Sequence, residues 1–511
     1  MQHQLFPQTA QPNPLPCPTE INTEVLNAAQ FAAVTHGQGP ILVVAGAGTG
    51  KTRTLVYRMA YLVQQGVPPE SILLLTFTRR AAHEMMARAG QLTNQSCRRV
   101  MGGTFHATAN VLLRQYGHHI GIGSQFTIID RGDAEGIINL LKSSLGMAGP
   151  GKRFPSKRVI LNLISGAVNK AAPLEDLVFR DYIHLAEYIQ DFQNIAGHYR
   201  QFKRDHGLMD YDDLLVFWRD LLLRSEQARE ELSRRFSTIL VDEYQDTNQL
   251  QAEIVQLLAS HHHNVMVVGD DAQSIYSFRG ADFYNIIRFP EQFPQTRTIK
   301  LEENYRSTAP ILQLTNAIIA QAEKKFAKTL FTSQEGGQRP KVVAAANEAA
   351  EARFVADELE RRRQEGLAYT DMAVLFRSGY HSYKLEIELA ARAIDFEKRG
   401  GLKLTESAHI KDLLSFFRVM INPWDNLSWN RILLQLEKVG PKTVQKILQN
   451  ISSAKNPLAA LAAYRPASAW KGQFDQLNQT LLMLNQPDQT PSAQFDLVMA
   501  YYQPVFERIY S

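Results

Sequence analysis

The string Ala45-Gly46-Ala47-Gly48-Thr49-Gly50-Lys51-Thr52 places small residues ahead of a lysine and a hydroxyl, a combination suited to gripping phosphates. Small side chains let backbone N–H groups approach an anion closely, and a helix opening at Lys51 would add the positive end of its dipole. Lys51 would reach the β- and γ-phosphates of ATP, and the Thr52 hydroxyl would enter the shell of Mg²⁺. Ala45 stands where the strict pattern has glycine. The bland alternative is a glycine-rich turn with an exposed lysine. It is disfavoured by the setting, because the apolar run Ile41–Val44 precedes the loop and a helical pattern, Lys51–Val63, follows it.

A second acidic element supports the first. Ile239-Leu240-Val241-Asp242-Glu243 ends a buried apolar run in two carboxylates, and such groups at the carboxyl end of a parallel strand face the same crevice as a phosphate loop. Asp242 would help to hold Mg²⁺, and Glu243 would orient and deprotonate an attacking water. Helix capping by the pair is the competing reading, and it becomes the minor one beside the phosphate loop.

These residues need a sheet to position them. Ile41–Val44, Ile72–Leu75, Thr238–Val241 and Val265–Val268 are short apolar runs that end at polar or acidic residues, which predicts four strands of one parallel sheet flanked by helices. A first helix is expected near Thr23–Thr35. Ala107 to Phe202 reads mainly as helices interrupting the sheet. A second α/β region is expected from Thr298, with strand-like Lys341–Ala344 and Met372–Phe376 separated by the helical stretch Glu348–Arg363; beyond Gly401 the pattern is helical. Met1–Pro18, without apolar periodicity and rich in proline, reads as a mobile leader.

The 511 residues exceed what one hydrophobic core serves and suggest three or four domains, with 45% hydrophobic and 21% charged residues. A formal net charge of +4 allows a polyanionic partner, but only through a local basic surface. Cys17 and Cys97 stand far apart without a second pair, which excludes a disulfide framework and a cysteine-held metal and fits a reducing compartment. No apolar run approaches the roughly 20 residues that cross a bilayer, and Met1 to Glu20 carries no signal-peptide core, so a cytoplasmic protein without membrane partners is expected.

Further strings make the pattern specific. Val241-Asp242-Glu243-Tyr244-Gln245-Asp246-Thr247 is followed by Val268-Gly269-Asp270-Asp271-Ala272-Gln273-Ser274-Ile275-Tyr276-Ser277-Phe278-Arg279-Gly280-Ala281. With Thr76-Phe77-Thr78, Thr104-Phe105-His106 and Glu303-Asn304-Tyr305-Arg306-Ser307-Thr308, and in this order, the chain from Leu26 to Lys446 closely resembles the UvrD/Rep/PcrA family of superfamily 1 DNA helicases.

The resemblance implies an α/β P-loop NTPase with RecA-like parallel sheets and helical insertions, acting as an ATP-dependent helicase or translocase of 3′–5′ polarity on single-stranded DNA and single/double-strand junctions. It implies that Gln30 reads adenine, since an amide pairs both a donor and an acceptor on that base. Tyr305 resembles the ring that stacks on adenine, and Arg306 an arginine finger on the γ-phosphate, a device worth about 10³ to 10⁵ in rate. Arg53 and Gln273 resemble further phosphate sensors. Phe77, His106, Tyr276 and Phe278 are the candidates for stacking on unpaired bases, each contact worth about 1 to 3 kcal/mol; core packing is their alternative. Phe278 replaces the family's tryptophan, and Arg79-Arg80 its Asn-Lys pair, with positive charge retained for phosphate contact.

Two weaker features stand beside these. His261-His262-His263 reads as a solvated loop rather than a metal cluster, because consecutive histidines do not share a strand face. Lys438-Val439-Gly440-Pro441-Lys442-Thr443 resembles the family's duplex-contacting hairpin without its first glycine. The strings the family carries as motifs V and VI are not found between Gly401 and Ser511. The expected organisation is a leader (1–20), a first RecA-like ATP-binding domain (21–106 and 203–290), a helical insertion (107–202), a partial second RecA-like domain (291–396) and a truncated helical insertion (397–511). Full activity would then need another polypeptide supplying the missing motifs. An ATP- and DNA-binding module that does not unwind, and a small-substrate P-loop kinase, are the competing classes.

Overall fold

The structure is a computed structural model that describes residues 23–93, 96–147, 154–399, 408–486 and 489–510. The leader expected over Met1–Pro18 lies outside the described residues.

A six-stranded, wholly parallel sheet organises the first compact unit. Its strands are β1 (Ile41–Ala45), β2 (Ile72–Thr76), β3 (Met101–Thr104), β6 (Thr238–Val241), β7 (Val265–Gly269) and β8 (Arg297–Leu301); β4 (Thr127–Ile128) and β5 (Leu208–Met209) form a separate small ladder. The spatial order is β3-β2-β6-β7-β1-β8. All four strands expected from the apolar runs are present, and two were missed. β3 contains Gly102 and Gly103, which mask it. β8 alternates exposed and buried residues as an edge strand does, and it pairs with β1 from Ile41↔Arg297 to Ala45↔Leu301. The strand at Thr298, where a second α/β region was expected to open, itself completes the first sheet.

Alternate residues along each strand feed opposite cores, as the period-two geometry of a strand requires. Leu42, Val44, Leu73, Leu75, Ile239, Val241, Val265 and Val267 pack on one face, and Ile41, Val43, Ala45, Ile72, Leu74, Leu240, Met266 and Val268 on the other. Coverage on both faces is why these strands are continuously apolar in sequence. The helices in chain order are α1 (Ala28–Val34), α2 (Lys51–Gln64), α3 (Arg79–Leu92) and α4 (Phe105–Tyr116), then α5 (Arg131–Ser144), α6 (Lys157–Asn169), α7 (Leu174–Asp181), α8 (Ile189–Asp205) and α9 (Tyr211–Arg224).

The helical interruption begins later than Ala107. In α4, Ala109, Leu112, Leu113 and Tyr116 recur at helical spacing and join the core of the sheet, whereas α5 to α8 enclose a core of their own from Ile129 to Leu208. Residues 418–430 and 440–465 also belong to this first unit, so 397–511 does not form a single insertion. Arg418 explains part of this: its Nη1 donates to Asp133 Oδ2 at 2.8 Å, offsetting a carboxylate that is 1% exposed.

The second unit comprises residues 339–417, 431–439 and 466–511. Helices Glu348–Gln364 and Tyr383–Ala391 meet through Ala352, Ala356, Leu385 and Leu389, and Arg392 joins them by ion pairs to Asp357, Glu360 and Glu388. Lys341–Ala344 and Met372–Phe376, expected as strands, have no ladder partner among the described residues, and Val342 and Leu375 are 100% and 93% exposed. A strand exists only by pairing, so β propensity alone leaves these segments without a sheet. Among the described residues no helix is long and apolar enough to cross a membrane.

Candidate functional site

The parallel topology delivers every motif to one edge, because the chain leaves each strand at the same end. β1 leads into the glycine loop, β6 into Asp242-Glu243, β7 into Asp270–Gln273, β8 into Tyr305-Arg306, β2 into Phe77 and β3 into His106.

Gly48 and Gly50 take φ of 75° and 88°, the left-handed region that side chains resist. A Cβ on Gly48 would lie 2.7 Å from Arg306 Cβ, so that position is closed sterically as well. Thr49 Oγ1 braces the turn by donating to Gly46 O at 2.8 Å. Ala45 ends β1 fully buried in the core, so the departure from glycine falls on a strand residue and leaves the turn unaltered.

Lys51 Nζ donates to Glu243 Oε2 at 3.0 Å, and Gln245 Nε2 donates to the same oxygen at 2.8 Å. Neighbouring Asp242 is 5% exposed and its Oδ1 is buried without a hydrogen-bond partner. Burial, and then the charge of Glu243, push its pKa up to about 7, with Lys51 acting in the opposite sense. Asp246 is raised to about 6 by the same two causes. An unpartnered carboxylate oxygen, with the Thr52 hydroxyl lining the same cavity, is the hard oxygen donor set that Mg²⁺ takes.

Gln273 Nε2 donates to Asp270 Oδ2 at 2.6 Å, while Asp270 N donates to Gln245 Oε1 at 2.9 Å. Lys328, whose side chain is 4% exposed, ion-pairs with both Asp270 and Asp271. Glu243, Gln245, Asp270, Gln273 and Lys328 thus form one connected network. The sequence reading did not select Gln245 or Lys328. Gln245 stands inside a quoted string, but Lys328 has no local signal, since its two acids are 57 and 58 residues away.

Gln30 is fully buried, with Nε2 donating to Thr49 O at 2.9 Å and Oε1 accepting from Asn27 N at 3.2 Å. Each end of its amide makes one such bond, which leaves a second Nε2–H and a second Oε1 lone pair to meet a base. Tyr305 is 41% exposed; its hydroxyl donates to Glu303 Oε2 at 2.7 Å and accepts from Asn27 Nδ2 at 2.9 Å. Arg53 is exposed and reaches Val25 O only at 3.5 Å, and Arg306 is exposed. Gln30, Lys51, Thr52, Arg53, Asp242, Glu243, Gln273, Tyr305 and Arg306 all line one cavity of about 980 Å³.

Phe77 and Tyr276 line the same cavity. Their ring centroids are 5.0 Å apart, and Phe278 lies 5.9 Å beyond Tyr276 with 66% exposure. These three rings form a continuous aromatic surface. His106 meets Tyr211 edge-on at 5.8 Å, and burial lowers its pKa to about 4, so it stays neutral at ordinary pH. Arg79 and Arg80 are exposed where α3 begins after Phe77.

His261–His263 lie in the turn before β7, and among the described residues no group of three His, Cys, Asp or Glu could hold a metal. In the hairpin string, Gly440 precedes the helix Pro441–Ser452; the side chain of Lys442 lies outside the described residues.

A parallel sheet with a phosphate loop after one strand and an acid pair after another defines a P-loop NTPase. Residues 26–294 match the model of the UvrD/REP helicase N-terminal domain, and residues 299–482 that of the UvrD-like helicase C-terminal domain. The chain belongs to the UvrD/REP helicase family. It is 38% identical over 446 residues to the ATP-dependent DNA helicase PcrA of Staphylococcus epidermidis, which covers 85% of this chain and 60% of that protein. It is 36% identical over 433 residues to the protein of the same name from Staphylococcus aureus, covering 84% and 58%. The chain therefore spans about three-fifths of the length of these relatives.

Proposed function

We propose that this protein couples ATP hydrolysis to movement along single-stranded DNA in the 3′–5′ direction, opening single/double-strand junctions as a helicase. The observation that carries the reading is a single cavity lined by Lys51, Asp242, Glu243, Gln273 and Arg306 together with Phe77 and Tyr276. Relatives named as ATP-dependent DNA helicases support it.

The chemistry follows from charge. Lys51 would exchange its Glu243 partner for the γ-phosphate, leaving that carboxylate free to orient a water and accept its proton. Thr52 and Asp242 would hold Mg²⁺, which when bound supplies neutralisation of charge on the β- and γ-phosphate oxygens. Arg306 would neutralise charge on the transferred group, and Tyr305 would stack on adenine beside Gln30. Gln273 would sense the γ-phosphate, and the run from Gln273 to Tyr276 and Phe278 provides a short path from that event to the stacking rings.

ATPase rates with and without an oligonucleotide, and unwinding of 3′- against 5′-tailed duplexes, test the reading. DNA-stimulated hydrolysis and unwinding of the 3′-tailed substrate alone are expected, while the absence of any DNA stimulation overturns it. The fully exposed Val342 and nearly exposed Leu375 favour a second reading, a binding module that needs a further polypeptide for unwinding. Strand separation by the chain on its own rules out that version.

A further inference from the structure

The geometry points to Asn304 as a positioning residue that sets the phosphate loop and Arg306 in register. This inference rests on the nucleotide reading above. Asn304 is 2% exposed at the exit of β8, and its backbone N–H is fixed by Phe331 O at 2.7 Å. Its carboxamide spends both ends on the site. Nδ2 donates to Ala47 O at 2.5 Å, and Oδ1 accepts from Arg306 N at 2.9 Å and from Ser307 N at 2.7 Å.

Each bond has a directional consequence. In a trans peptide the C=O and the following N–H point to opposite sides, so holding Ala47 O aims the Gly48 N–H away from Asn304. Tyr305 N fixes the next peptide of the loop by donating to Gly48 O at 2.9 Å. Contact is close enough that a Cβ on Gly48 would lie 2.8 Å from Asn304 Nδ2. On the other side, the two bonds to Oδ1 start the turn that carries Arg306. One buried amide therefore links a loop whose N–H groups cradle phosphate to the guanidinium that would meet the terminal phosphate.

The test is displacement of a fluorescent nucleotide by ATP and by ADP, with Mg²⁺, on the full chain. Asn304→Ala should weaken ATP about tenfold and lower the ATP-to-ADP preference toward that of Arg306→Ala. In an Arg306→Ala background it should change that preference no further, because the finger it positions is gone. Asn304→Asp keeps the acceptor for Arg306 and Ser307 but opposes Ala47 O with a second acceptor. It should weaken both nucleotides alike and preserve the preference, and it carries the test should Asn304→Ala fail to fold. A wild-type preference in Asn304→Ala, a further change of preference in the double variant, or a lost preference in Asn304→Asp overturns the inference alone. Wild-type protein that binds neither nucleotide overturns the nucleotide reading itself.

Discussion

Asp242→Asn should make the ligand-free protein more stable at alkaline pH, although it removes a charge the proposed activity needs. Burial and the adjacent Glu243 raise the Asp242 pKa from 3.8 to about 7. At ~1.4 kcal/mol per unit, ionising this group in the fold costs about 4 kcal/mol. The sign follows from proton counting: between about pH 4 and pH 7 the folded state binds more protons than the unfolded, so stability falls as pH rises through that window and is level above it. Asparagine removes the cost but leaves a buried amide N–H to satisfy, about 1–3 kcal/mol. The variant should therefore be about 1–3 kcal/mol more stable than wild type at pH 8, and by pH 5 the difference should move about 3 kcal/mol against it. Urea unfolding followed by circular dichroism, without nucleotide or magnesium, measures both values. A difference that is the same at pH 5 and pH 8, or a less stable variant at pH 8, refutes the reasoning.

Lys51→Ala should abolish phosphate binding, whereas Glu243→Gln should retain ATP binding and lose turnover; equal ATPase rates in the Glu243 variant count against its role as base. Lys328→Ala strands two buried carboxylates and should lower stability by about 3–5 kcal/mol, read as a drop in thermal midpoint that an unaltered midpoint would contradict. Phe278→Ala should weaken binding of a single-stranded oligonucleotide by about 1–3 kcal/mol in fluorescence anisotropy, and Phe278→Trp should tighten it; identical affinities would remove this ring from the contact surface.

Much of the first sheet was legible because burial on both faces writes itself as apolar runs: Ile41–Val44, Ile72–Leu75, Thr238–Val241 and Val265–Val268 were each identified. β3 and β8 were not, since Gly102-Gly103 and an alternating edge pattern lack that signature. The reverse error fell on Lys341–Ala344 and Met372–Phe376, whose apolar residues suit a strand without providing anything to pair with. Among the site residues, His106 was selected beside Phe77 and Tyr276, yet its ring meets Tyr211, a partner more than a hundred positions away.

By itself the sequence determined the local chemistry: small residues before Lys51, acids ending a buried strand, and an order of strings that belongs to one family. Those features are local because a loop conformation and a strand end depend on neighbouring residues. Only the tertiary structure decided which atoms share a partner. That Lys51 and Glu243 are paired, that Lys328 closes against Asp270 and Asp271, and that Asn304 joins Ala47 to Arg306 are outcomes of strand order and packing. Such contacts span up to 257 residues of chain, and a distance that long leaves no periodicity or spacing to read.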